Sequence, residues 1–301
     1  GKHEDLPHYY AFSYVWVRAF PERRVRLASL SIRSASGWAY GLNRYAKSCL
    51  EYQMAPAFSQ RSGVYWIKPS GTTIAFRVYC EMQQRGGGWT QILSTTNNAK
   101  SRFSYHASLW TQRPKLWDSN PSLDPKEETL LRSFAELPVQ QLMLAQKFHS
   151  IKVNGHRQYL PKFNDVRRLV MSFAKVQTLF SMTSGARFVS TIHPTSAQAW
   201  IDLYHPYGRM QMTYFFEGIN VNPCPKDSED ACVRIGVTGN NSTSNKHESR
   251  MGIGGSGTRH SQDPDIIVGH SSGSCKQHAC GLDSREETRY DVGVHVTLYG
   301  R

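Results

Sequence analysis

The clearest pattern of apolar and polar positions lies between Ser48 and Trp89. Val64-Tyr65-Trp66-Ile67 is β-branched and aromatic, the composition of a pleated, half-buried strand. Pro69-Ser70-Gly71 is turn chemistry. Ile74 to Cys80 reads as a second strand, with Ile74, Phe76 and Val78 on one face. Gly86-Gly87-Gly88 then gives a backbone free to turn sharply before Trp89 enters a core. Upstream, Tyr10, Phe12, Tyr14 and Trp16 alternate with Ala11, Ser13, Val15 and Val17, a strand pattern with one large aromatic face that Pro21 ends. Such a strand either packs on a neighbouring domain or pairs with another subunit.

Downstream, Gln91-Ile92-Leu93 continues a strand, and residues 97–126 read as long polar loops anchored by Trp110 and Trp117. The spacing predicts a helix over Glu127 to Leu137, stopped by Pro138, and strands over Val139 to Phe148 and Ser150 to Val153 around a turn. Val166, Leu169, Val170, Phe173, Val176 and Phe180 recur at helical spacing, so a helix is expected from Asn164, its cap candidate, to Phe180. Phe188 to Ile192 reads as a strand. No heptad or Gly-X-Y repeat runs through the chain, which argues against a coiled-coil stalk and a collagen stem.

Composition narrows the class. The 301 residues, 39% hydrophobic and 12% aromatic, suffice for a real core. No apolar run reaches the roughly 18 residues a membrane-spanning helix needs. The chain opens at Gly1 without a charged-then-apolar leader, the form expected of a processed chain. Six cysteines fit a secreted, disulfide-bonded protein. The net charge of +13 favours polyanionic surroundings. Sulfated glycans, anionic membranes and nucleic acid are such surroundings, and because the charge is dispersed and the cysteine usage extracellular, nucleic acid is not expected.

The motifs exclude several chemistries. Gly252-Ile253-Gly254-Gly255-Ser256-Gly257 fits G-x-G-x-x-G but opens no helix and no βαβ unit, so dinucleotide binding is rejected. Cys275 and Cys280, with His270 and His278 nearby, suit a local disulfide better than zinc in a secreted chain. Overlapping sequons make Asn240 and Asn241 candidate glycosylation sites. No nucleophile elbow, zincin motif or paired-carboxylate constellation stands out, so an enzyme is not expected.

The order Cys49, then Ser62-Gly63-Val64-Tyr65-Trp66-Ile67-Lys68-Pro69-Ser70-Gly71, then Val78-Tyr79-Cys80-Glu81-Met82, then Gly86-Gly87-Gly88-Trp89-Thr90 resembles the opening of a fibrinogen-like domain. The last third is similar to intelectins, the X-type lectins. The matching pieces are Pro206-Tyr207-Gly208 before an aromatic strand, Val237-Thr238-Gly239-Asn240-Asn241, the glycine run from Gly252, Val268-Gly269-His270-Ser271-Ser272, Ser284-Arg285-Glu286 and the terminal Tyr299-Gly300-Arg301. The resemblance implies an α+β fold: an aromatic-rich extension over residues 1–47 and a fibrinogen-like, intelectin-like domain over 48–301 with an irregular, loop-rich C-terminal lobe.

It also implies a secreted, extracellular, calcium-dependent lectin that binds glycans through a C-terminal metal site and forms homo-oligomers. The alternative is a structural or matrix protein that keeps the fold without the sugar site. Calcium takes six to eight oxygen ligands, and sugar hydroxyls can replace its waters. By the resemblance Asn241 is a metal ligand, with Asn240 as the alternative, and Glu248 with His247 stands beside the ion; Asp263 and Asp265 are the nearby carboxylates. His247 and His270 would contact the sugar, His270 standing where the family has an aromatic tyrosine. A Cys49–Cys80 bond would clamp the opening unit. Cys224, Cys232, Cys275 and Cys280 allow three pairings, of which Cys224–Cys232 and Cys275–Cys280 are the local choice.

Overall fold

A computed structural model describes residues 32–34, 37–39, 45–55, 61–96, 102–103, 105–110, 112, 117–118, 120–121, 128–153, 156–159, 166–180, 186–187, 199–200, 202–203, 214–220, 232–240, 249–256, 266–268 and 291–301. The chain divides into two compact units, Gly1–Thr90 with Ser119–Leu123, and Gln91–Asp118 with Asp124–Arg301.

The first unit contains β1 (Ile32–Ser34), β2 (Gly37–Ala39), α1 (Cys49–Met54), β3 (Gly63–Ile67), β4 (Phe76–Glu81) and the first residues of β5 (Trp89–Thr96). β1 pairs antiparallel with β2, which meets β3 in parallel at Trp38 and Tyr65. β3 and β4 form the hairpin that the alternation predicts, with Val64 opposite Tyr79 and Trp66 opposite Arg77. The second strand begins later than expected, at Phe76, and Ile74 lies 54% exposed in the turn region before it. Tyr65, Ile67 and Val78 are buried, as are Tyr52 and Cys49 of α1. The Tyr52 and Tyr65 rings pack 4.9 Å apart.

Helix α1 is absent from the sequence expectations, although its start is written in Ser48-Cys49-Leu50-Glu51. The Ser48 hydroxyl accepts from the Glu51 backbone N–H at 3.3 Å, and the Glu51 carboxylate accepts from the Lys47 N–H. This is a variant of the reciprocal cap that Ser or Thr followed three residues later by Glu supplies. The disulfide Cys49–Cys80 then ties α1 to β4, with the Cα atoms 5.5 Å apart. Gly86, Gly87 and Gly88 take φ of 84°, 70° and 70°. They deliver Trp89 fully buried, its indole N–H donating to the Gln84 carbonyl at 3.1 Å.

The second unit is sheet-rich. After β5 come β6 (Thr129–Leu130), α2 (Ser133–Glu136), β7 (Val139–Val153), β8 (His156–Tyr159) and β9 (Arg167–Gln177). There follow β10 (Ala186–Arg187), β11 (Tyr214–Ile219), β12 (Cys232–Asn240), β13 (Ser249–Ser256), β14 (Ile266–Val268) and β15 (Asp291–Gly300). β15 runs antiparallel to β7 along its whole length, with a bulge between Gly293 and Val294. The C-terminus is fixed there: Arg301 Nε and a terminal guanidinium nitrogen donate to Gln141 Oε1 at 3.0 and 2.6 Å.

Three expectations are corrected here. The helix expected over Asn164 to Phe180 is strand β9, paired with β7 so that Leu169 faces Leu144 and Met171 faces Leu142. The helix expected over Glu127 to Leu137 is the short strand β6 followed by the single turn α2. The break expected near Ser150 is absent, since β7 continues to Val153 before turning back into β8. The described residues therefore hold far more sheet than an α+β reading expects. The N-terminal aromatic alternation and Phe188 to Ile192 lie outside the described residues.

Candidate functional site

The second sheet, in the order β10-β11-β12-β13-β14, carries the motifs of the last third of the chain. β12 is antiparallel to both β11 and β13, and β14 is parallel to β13. One end of this sheet therefore collects the start of β11 at Tyr214, the end of β12 at Asn240, and the starts of β13 at Ser249 and β14 at Ile266. Tyr214 is the register partner of Asn240, Gly239 of Ser249, and Met251 of Ile266.

Three of the candidate metal ligands are sequence neighbours of described residues at that end. Asn241 directly follows Asn240, Glu248 directly precedes Ser249, and Asp265 directly precedes Ile266. Asn241, His247, Glu248, Asp263, Asp265 and His270 themselves lie outside the described residues. β14 runs away from the collecting end toward Val268, and His270 follows it. Among the described residues no three metal-ligating side chains come together. One described atom does point to a missing partner. Thr238 is 1% exposed, and its hydroxyl, three residues before Asn241, has no hydrogen-bond partner. Buried polar groups are almost always paired, so such an atom calls for a water or ligand oxygen. Amide and carboxylate oxygens, the donors that Asn241, Glu248, Asp263 and Asp265 carry, are of the hard kind that calcium takes.

The glycines of this sheet serve packing. Gly218, Gly236 and Gly252 are successive register partners across β11, β12 and β13, with φ of 145°, 154° and 144°. A Cβ on Gly252 would strike the Ile235 carbonyl oxygen and come within 2.8 Å of the Gly236 Cα. The run from Gly252 thus brings strands together, consistent with rejecting a dinucleotide loop.

Sequence reasoning missed the residue that holds the Phe103–Trp110 region to this sheet. Arg234 Nε donates to the Tyr105 carbonyl at 2.6 Å, and a terminal nitrogen donates to Asn220 Oδ1 at 2.9 Å. Its guanidinium lies 4.0 Å from the Tyr105 ring centroid. Burial lowers the Arg234 pKa, and Tyr105 opposes that shift. The advance signal was the one charged residue in β12, which calls for a partner where it is buried. Of the remaining cysteines, Cys232 is buried and disulfide-bonded, while Cys224, Cys275 and Cys280 lie outside the described residues.

Comparison with known proteins agrees with the opening unit. Residues 45–112 match the family "Fibrinogen beta and gamma chains, C-terminal globular domain". Human fibroleukin is 31% identical over 94 residues, a match covering 29% of this chain and 21% of that protein. The chain thus spans about a fifth of that relative's length. The solved fibrinogen-like globe domain of human ANGPTL6 matches at 17% identity, over 48% of this chain and 55% of that one, with a TM-score of 0.29, too loose to transfer geometry. The hairpin, the Cys49–Cys80 clamp and the glycine-led Trp89 all fall within the matched residues, and over residues 45–112 the chain is similar to the fibrinogen C-terminal domain.

Proposed function

We propose that this chain is a secreted, non-enzymatic glycan-binding protein of intelectin-like type, with calcium held at the collecting end of the second sheet. The observation that carries the reading is the convergence there of Asn240, Ser249 and Ile266, the described residues next to Asn241, Glu248 and Asp265. The orphaned Thr238 hydroxyl supports it. In this reading Asn241 supplies a neutral oxygen, the carboxylates supply charge, and a sugar's vicinal hydroxyls complete the shell. Glycosylation at Asn240 or Asn241 would compete with that role.

A ligand bound only by the folded state raises stability by mass action. Chelation should therefore lower the melting temperature and release the protein from a glycan array. Glu248→Ala combined with Asp263→Ala should abolish both effects while leaving a folded chain, since the Cys49–Cys80 clamp is untouched. A melting temperature indifferent to chelator in the unmodified protein would overturn the reading. One observation favours the alternative of a structural or matrix protein: the family match over residues 45–112 carries the fold and includes none of the candidate ligands.

A further inference from the structure

Arg234 is a half-buried cation whose contacts are all neutral. Its Nε–H donates to the Tyr105 carbonyl at 2.6 Å, its Nη1 donates to Asn220 Oδ1 at 2.9 Å, and the guanidinium carbon stands 4.0 Å from the Tyr105 ring centroid. No carboxylate pairs with it among the described residues. Nη2 makes no hydrogen bond to any described atom, and unlike Trp66 Nε1 or Arg77 Nε it is not closed off from solvent. The exposed His106 packs edge-on to the same Tyr105 ring, centroids 5.1 Å apart, so the clamp lies near the surface. The surroundings hold the guanidinium in place. Asn220 takes φ of 51°, is 7% exposed, and donates its backbone N–H to the Arg234 carbonyl at 2.8 Å. A Cβ on Gly254 would come within 2.8 Å of the Phe103 carbonyl oxygen and 3.1 Å of the Arg234 Cβ, so bare backbone there lets the arginine side chain lie where it does.

Arginine keeps its proton in proteins, so the cost of burial cannot be relieved by losing the charge. Charges that leave water are normally paired with an opposite charge. A ring face and two neutral oxygens offset only part of that cost. The clamp therefore satisfies the geometry of Arg234 and leaves its charge uncompensated, with one terminal nitrogen to spare. We propose that Arg234 is an anion-binding residue, its Nη2 donating to an oxygen of a carboxylate or sulfate group that completes the clamp without a metal. Hydrogen bonds between two charged groups are the strong ones, and a guanidinium suits both of these oxyanions. The chain's charge of +13 concentrates acidic ligands near the surface. This site is independent of the calcium reading.

The test is nuclear magnetic resonance on the full chain, in buffer stripped of metal on a chelating resin so that calcium plays no part. The Arg234 Nε–H signal is followed while sodium acetate or sodium sulfate replaces sodium chloride at constant ionic strength. It should shift saturably with at least one of the two. A response to acetate alone identifies carboxylate, to sulfate alone sulfate, and to both the oxyanion chemistry they share. The same anion should raise the melting temperature by mass action. Asn220→Asp places a carboxylate where the amide stands and so supplies the missing charge from within; aspartate, like asparagine, tolerates the left-handed backbone. Anion affinity in that variant should fall about tenfold or more, the loss of one charge-assisted contact. No saturable shift in the unmodified chain, or equal affinity in Asn220→Asp, would overturn the proposal and leave Arg234 a purely structural clamp.

Discussion

At the scale of single residues, the glycines divide by what stands beside them. Gly71 has φ of 85° but nothing within 4 Å of where a Cβ would be, so an alanine there meets backbone strain alone. Gly252 combines a positive φ with backbone atoms of β12 in the space a Cβ would fill. A carbonyl oxygen in a paired strand cannot rotate away as a flexible side chain could. Gly71→Ala should cost about 1 kcal/mol, and Gly252→Ala about 3 kcal/mol or more. Urea unfolding measures both. Equal costs would mean that the glycine lane across β11, β12 and β13 is not close-packed. The same distinction explains Gly87 and Gly88, whose added Cβ atoms would meet the Met82 backbone, and Gln53 and Leu50, respectively. The G-G-G-W run was legible because a sharp approach to a buried tryptophan needs such residues. The lane was not, because Gly218, Gly236 and Gly252 lie far apart in sequence and only strand register aligns them.

At the scale of elements, what was legible depended on whether local periodicity and tertiary pairing agreed. They agree in β3 and β4, where aromatic and β-branched residues alternate beside a Pro-Ser-Gly turn. They conflict in β9. Val166, Leu169, Val170, Phe173 and Val176 fit a helix, but Met171 also fits an inward strand position, and pairing with β7 decides between them. The burial pattern records the outcome: Met171 and Phe173 are 5% and 2% exposed, whereas Val176 is 60% exposed. A helix would have buried Val176 with Phe173 on one stripe. Phe173→Ala should therefore destabilise by roughly 3–5 kcal/mol, while Val176→Lys should stay within about 0.5 kcal/mol. Thermal or denaturant unfolding reads both, and a large loss from Val176→Lys would restore the helical reading. Of the candidate ligands named from the sequence, Asn241, Glu248 and Asp265 lie outside the described residues. The parallel placement of β14 beside β13 is a long-range pairing that no local pattern encodes.

For the molecule as a whole, the governing quantity is charge. Thirty-six Lys and Arg against 23 Asp and Glu leave +13 with histidine neutral. A surplus of this size acts over the whole surface, and its reach follows the Debye length, about 30 Å at 0.01 M salt and about 8 Å at 0.15 M. Many weak contacts to a polyanion then sum at low salt and fade together as salt rises. On a heparin column in EDTA, retention of the chain should therefore fall steeply between low and physiological salt. Retention of the unmodified chain that does not change with salt would refute the electrostatic account of its affinity for acidic glycans.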